Sequence, residues 1–448
     1  MADELPRRIG FWGGSALMVG IILGSGIFLA PTVIAGMLGS PWVVLAFWVA
    51  GGILSLFGAL TFAELAAALP RSGGIYVYLN EGLGPRVAFT FGWTYLLLIK
   101  PFAAAAVGIV FANHLNALLG VDWNPPIVAC VMILLLTAVN AVTVRGSSVT
   151  AIALTALKLA SLGAIVALGL LLGKGSAANF ASTPAPVPLW KAAAPVMYGV
   201  LWTYDGWADV SAVTGEVENP ARTLPRILFM GTVATVGVYV VVNVVYCSLI
   251  PLAEMRHLTT VAPVVLERLL GGAGGRAVAA MIVLSTLGAT HAAVLTGARV
   301  TWAQARDGLL FRFLGRVHPT FRTPDVSLWI QAALCCASVV YLRRFKDLSE
   351  GYGFLMWIFY ALTAAAVLIL RRRRPDLERP YKCWGYPAVP LAFIVASVGM
   401  TALYIAQSPR QTLPWLAVLL LGLPAHIIWT RFAGTGRPAE SRTGPASL

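Results

Sequence analysis

Two short runs hold the residue types that chemistry needs. The first is Gly20-Ile21-Ile22-Leu23-Gly24-Ser25-Gly26-Ile27-Phe28, inside a long apolar stretch. Three small residues in a row weaken a helix, each Gly by about 1 kcal/mol relative to Ala. A helix broken there restarts near Gly26 with unpaired N–H groups and a positive dipole end, which is a seat for a carboxylate. The half ending near Ile22 presents carbonyls suited to an ammonium, so the two ends together match an amino acid zwitterion. The competing reading is a small-residue contact between helices. The second run is Leu201-Trp202-Thr203-Tyr204-Asp205-Gly206-Trp207. It places a carboxylate, a glycine and three aromatics in mid-stretch, where a buried charge is costly and marks function. Gly206 permits a break there; plain packing is the alternative for Trp202 and Trp207. No Ser-His-Asp set and no metal-ligand spacing occurs. Cys130, Cys247, Cys335 and Cys336 lie in apolar runs and Cys383 in a basic loop, which reads as inert thiols. Neither an enzyme, a metal nor a cofactor is expected.

Both runs need a membrane-type scaffold to position them. Of 448 residues, 58% are hydrophobic and 11% charged, against roughly 25% charged in a soluble domain. So little charge cannot cover a water-facing surface, and an all-α polytopic membrane protein follows. A crossing needs about 20 apolar residues. Such runs lie near 10–38, 42–69, 86–113, 126–143, 150–173, 192–212, 227–250, 277–304, 327–342, 352–370, 388–406 and 413–431, which makes twelve. The loops between them are short, so 1–448 reads as a single transmembrane domain. The first run is too long for a cleavable signal peptide and lacks its small-residue end. A net charge of +14 would suggest nucleic acid in a soluble protein. Here the basic residues fall between the spans and report topology instead. With the N-terminus inside, 20 of the 32 Lys and Arg occupy inner segments and nine occupy outer ones, including Lys174, Lys191, Arg343, Arg344 and Lys346. Three, Lys100, Lys158 and Arg299, lie within spans. A cell-membrane protein with both termini cytoplasmic is expected. The interrupted spans are the first and the sixth, which points to an inverted-repeat transporter with its site at the interruptions. The repeats would be about 10–173 and 192–370, followed by accessory helices at about 388–431 and a disordered tail at about 433–448.

The motifs, taken in order, carry a resemblance. They are Gly24-Ser25-Gly26-Ile27-Phe28 with Pro31; Ala63-Glu64-Leu65 before Pro70-Arg71-Ser72-Gly73-Gly74-Ile75-Tyr76; and Lys100-Pro101. Val144-Arg145-Gly146 leads to Lys158, and Tyr204-Asp205-Gly206-Trp207 to Gly215-Glu216-Val217-Glu218-Asn219-Pro220. Ser285, Gly288 and Arg299 follow, then His318-Pro319, Thr323-Pro324 and the run from Arg371 to Tyr381. Together they resemble the L-type amino acid transporters of the amino acid–polyamine–organocation superfamily, over nearly the whole chain. The resemblance implies a LeuT-like five-plus-five fold with two extra C-terminal helices. It implies that the backbone around Ile22, Gly24, Ser25, Gly26 and Ile27, with Trp202, Tyr204, Asp205 and Gly206, holds an amino acid, Trp202 closing over it. It also implies that the Lys158 ammonium stands where sodium-driven relatives hold Na⁺ between the first and eighth spans. Sodium-independent exchange is then expected, with a proton-coupled amino acid or polyamine symporter as the alternative and a channel or intramembrane enzyme behind both. A snorkelling, structural Lys158 is the competing reading.

Some positions depart from the family pattern. Ile75 replaces an often acidic residue, and His291 and Met356 stand where some relatives carry Asn, so both are candidates for the side-chain pocket. The loop from His114 to Pro126 lacks the Cys that bonds light chains to a glycoprotein, so no disulfide-linked heavy chain is expected. Glu64 and Arg299 read as structural or snorkelling charges. Lys100 is favoured as half of an ion pair, with the pocket as its alternative, and Asp209 is a candidate for the inner vestibule. Asp205 has two readings: a cap for the second half of its helix, accepting from N–H groups near Ala208, or a partner for cationic side chains, since relatives with this Tyr-Asp-Gly-Trp context include carriers of dibasic amino acids.

Overall fold

A computed structural model describes residues 5–142, 144–172, 175–271, 274–342 and 345–432. The expected tail, with Arg437 and Arg442, and the basic residues Lys174, Arg343 and Arg344 lie outside the described residues. The chain is helical throughout: α1 (Phe11–Ile22), α2 (Gly26–Ala35), α3 (Pro41–Ala68), α4 (Ile75–Leu83), α5 (Pro85–Thr94), α6 (Lys100–Leu119), α7 (Pro125–Val142), α8 (Val144–Leu171), α9 (Leu189–Tyr204), α10 (Pro220–Leu249), α11 (Leu252–Met255), α12 (Val261–Leu270), α13 (Gly274–Arg306), α14 (Asp325–Leu342), α15 (Phe345–Arg373), α16 (Ala388–Gln407) and α17 (Pro409–Phe432). Pro at the start of α3, α5, α7, α10 and α17 fits the first helical turn, where its missing N–H costs nothing.

Among the described residues, eleven segments are long and apolar enough to cross a membrane. The sixth expected span is not among them. Its helix stops at Tyr204, and after Asp205 and Gly206 it continues as 3-10 helix from Trp207 to Glu216. The interruption expected there leaves α9 with 16 residues, shorter than each of the eleven. Its second half runs to Glu216, beyond the expected end near residue 212. The first crossing is broken as expected, between α1 and α2. The third is a continuous rod with one defect: a π-turn at Tyr95–Ile99 joins α5 to α6 immediately before Lys100. Such insertions shift the helix face and recur at functional positions.

The most enclosed crossings are the first, third, eighth and tenth, and the last two are the most lipid-exposed. Outward-facing Leu, Val and Ile on α7, α16 and α17 fit a lipid solvent. Small residues let the inner helices approach one another. A methyl at Gly52 would lie 2.7 Å from Val236, and one at Gly58 would lie 2.6 Å from the Trp207 ring. On the side carrying the N-terminus, Arg8 and Ile9 both donate to the Glu216 carbonyl at 2.9 Å, and Glu218 N–H returns a bond to Ile9 O at 2.9 Å. The Glu216 carboxylate is fully buried against Arg299, which donates from Nε at 2.8 Å and Nη2 at 3.0 Å. Glu64 is paired in the same bidentate way by Arg371 (2.8 and 2.6 Å) and also accepts from Cys383 N–H at 2.7 Å. Both charges are therefore structural and paired, not snorkelling.

Candidate functional site

The two breaks face each other. A methyl added at Gly26 would lie 2.8 Å from the Thr203 side chain, and one added at Gly206 would collide with Ile21. Gly206 also has φ +104°, a conformation that L side chains avoid. Each interrupted helix thus presents a glycine to the other, and this close approach makes one cavity from two defects. It measures about 90 Å³.

The end of α1 releases carbonyls that lipid cannot solvate, and the protein supplies donors for them. Lys158 Nζ, from α8, donates to Gly20 O at 2.6 Å and Leu23 O at 2.9 Å. Ser285 Oγ, from α13, donates to Leu23 O at 2.8 Å and reaches Gly24 O at 3.3 Å. Tyr239 OH, from α10, donates to Ile22 O at 2.6 Å and lies 3.2 Å from Thr203 O, so it ties both breaks together. The ammonium fits because residue 288 is glycine; a methyl there would stand 2.7 Å from Lys158 Cε. At the other side of the break, α2 starts at Gly26 with no side-chain cap, and its first N–H groups have no intrahelical partner. They point a positive dipole end at the cavity.

Three acidic or basic side chains, Lys100, Asp205 and Asp209, line the cavity. Lys100 forms a buried ion pair with Asp209, which also accepts from Tyr95 OH at 3.3 Å. The π-turn brings Tyr95 and Lys100 to the same carboxylate. Asp205 Oδ1 accepts from Tyr360 OH, on α15, at 2.6 Å. The Asp205 carboxylate also has the Gly206 backbone N–H as a hydrogen-bond partner, so it joins the start of the 3-10 segment to another helix.

Ile22, Gly24, Ser25, Gly26, Trp202, Gly206 and Met356 border the cavity with these charges. Three other candidates do not. Tyr204 turns away and donates to Trp48 O at 3.1 Å. Ile27 is fully buried among core residues. His291, a candidate for the side-chain pocket, lies instead between Ser147 O at 2.9 Å and Asn140 Nδ2 at 3.4 Å. On α13 the residues facing the cavity are Ala289, Thr290 and Ala293. A step of one residue turns a helix by about 100°, at 3.6 residues per turn, and carries His291 off that face. Sequence reasoning missed Tyr239, Tyr360 and Thr290. Tyr239 and Tyr360 sit in apolar runs and Thr290 sits beside His291 among the other threonines of α13, with no local pattern to mark any of them.

The chain matches the amino acid permease family over residues 9–424. It is 30% identical to the b(0,+)-type amino acid transporter 1 of Rattus norvegicus, across 96% of this chain and 89% of that one. It is 30% identical to the human cystine/glutamate transporter, across 96% and 87%. It is 29% identical to the serine/threonine exchanger SteT of Bacillus subtilis (strain 168), across 95% and 97%. The chain belongs to the amino acid permease family. As an amino acid permease it is a multi-pass membrane transporter rather than an enzyme, and its all-helical architecture accords with a LeuT-like fold. Among the described residues of this permease no group of His, Cys, Asp and Glu is placed to hold a metal ion.

Proposed function

We propose that this permease exchanges amino acids across the cell membrane without sodium, both termini being cytoplasmic. The observation that carries the reading is the Lys158 ammonium on Gly20 O and Leu23 O. It is a fixed cation at the carbonyls of a broken helix, where an ion-coupled carrier would need a bound cation. The substrate's α-carboxylate takes the bare N-terminus of α2 around Ser25 and Gly26. Its α-ammonium takes the second lone pairs of the carbonyls near Ile22 and Thr203, and Trp202 covers it. Residues 10–173 and 192–370 act as the two repeats, with 388–431 accessory. The Ile9–Val217 bridge and the Arg299–Glu216 pair hold the cytoplasmic side shut and must part for release. The missing loop cysteine supports work without a disulfide-linked heavy chain.

Proteoliposomes test this. Uptake should rise when the lumen is loaded with amino acid and should stay unchanged when choline replaces Na⁺. A sodium-dependent rate refutes the coupling. A cysteine introduced at Lys191, an exposed outer position, should label from outside the cell; labelling from the cytoplasm only would overturn the sidedness.

A further inference from the structure

We infer that Thr290 is a specificity-determining residue that recognises the hydroxyl of a short amino acid side chain. The inference rests on the amino acid reading above and adds the substrate class.

The observation is a hydroxyl without a partner. Thr290 lines the cavity, is fully buried, and its Oγ1 makes no hydrogen bond. Its neighbours on α13 behave differently. Thr286 donates to Ile282 O at 2.7 Å and Thr296 to Ala292 O at 2.9 Å, the usual way a threonine satisfies itself on a helix. Thr290 sits on the same helix with the same option and does not use it. A buried polar group left unmatched is costly, and such groups call for an explanation.

Ser25, the other partnerless hydroxyl on the cavity wall, belongs to the break where the α-groups bind. Thr290 stands on a separate helix, flanked on its cavity face by Ala289 and Ala293, with Ala103 and Ala104 of α6 also in the wall. That wall offers a side chain methyl groups and one hydroxyl. The cavity is small, about 90 Å³, and the α-groups take part of it, so the side chain is short. A hydroxyl both donates and accepts, and its match on a short side chain is another hydroxyl. Alanine and serine differ by this group alone, as do 2-aminobutyrate and threonine.

The test is exchange of labelled alanine in proteoliposomes, competed by each member of the two pairs. Wild type should prefer serine over alanine and threonine over 2-aminobutyrate by about tenfold, the scale of one hydrogen bond. Thr290→Val keeps the shape and removes the hydroxyl. It should abolish both preferences, read as the ratio of competition within each pair in the same vesicles, and Thr290→Ser should restore them. Equal competition within the pairs in wild type overturns the inference, and so does a preference that survives in Thr290→Val. A wild type that exchanges no amino acid fails at the earlier step and refutes the amino acid reading itself, which is distinguishable because no alanine flux is seen.

Discussion

The two helix breaks solve one problem in opposite ways. At the first, the loose carbonyls are satisfied from outside the helix: Lys158, Tyr239 and Ser285 reach in from α8, α10 and α13. At the sixth, the break carries its own charge, Asp205, and relies on a glycine conformation and one hydroxyl, that of Tyr360. The first break thus depends on donors from three other helices, and the sixth on a glycine conformation backed by a hydroxyl from α15. Damage to the first should come mainly from remote substitutions, and damage to the sixth mainly from substitutions within it.

Lys158→Ala gives the largest effect. It removes the donor to Gly20 O and one of the two donors to Leu23 O, and a buried carbonyl left unmatched costs about 1–3 kcal/mol. Most exchange flux should vanish in proteoliposomes while detergent-solubilised protein remains monodisperse. Retained flux would mean that the first break does not depend on its remote cation. Gly206→Ala comes next. A left-handed backbone costs a non-glycine residue about 1–2 kcal/mol, and the collision with Ile21 adds to it. A melting temperature several degrees lower is expected in a thermal-shift assay, and an unchanged one would deny that the sixth break is held locally. Asp205→Asn is the smallest. The amide oxygen still accepts from Tyr360, so affinity for neutral amino acids should fall less than tenfold, about 1 kcal/mol. Competition by arginine should change in parallel. Selective loss of arginine competition would instead restore the cation-recognition reading of Asp205.

The contrast also separates what the sequence could reveal from what it could not. Gly24-Ser25-Gly26 and Asp205-Gly206 are local signals, since backbone that leaves a helix needs residues that tolerate it, and both breaks were legible. Eleven of the twelve apolar runs answer to long apolar helices among the described residues, because a lipid-facing helix must be apolar along its own length. Lys158 was visible as a buried charge, but its carbonyl targets followed only from the family resemblance. Tyr239 and Tyr360 were hidden, because which face of a helix meets a break more than a hundred residues away depends on packing. His291 shows the same limit in reverse: its chemistry drew attention, but the rotation of α13 gave the cavity to Thr290. The charges at Lys100 and Asp209 could each be noticed, while their pairing depends on a π-turn that no pattern in Tyr95–Ile99 announces.

The remote donors that hold the first break also carry a consequence in time. A ribosome adds roughly 5–20 residues per second, and Ser285 lies about 260 residues beyond Leu23. Lys158, Tyr239 and Ser285 therefore emerge in succession over some tens of seconds. During that interval the first crossing sits in lipid with none, one or two of its three donors. An intact helix is the form that leaves no carbonyl bare, so the segment must insert as a continuous helix and open only when its partners arrive. The break on which this permease's site depends is thus complete only once α13 has been made.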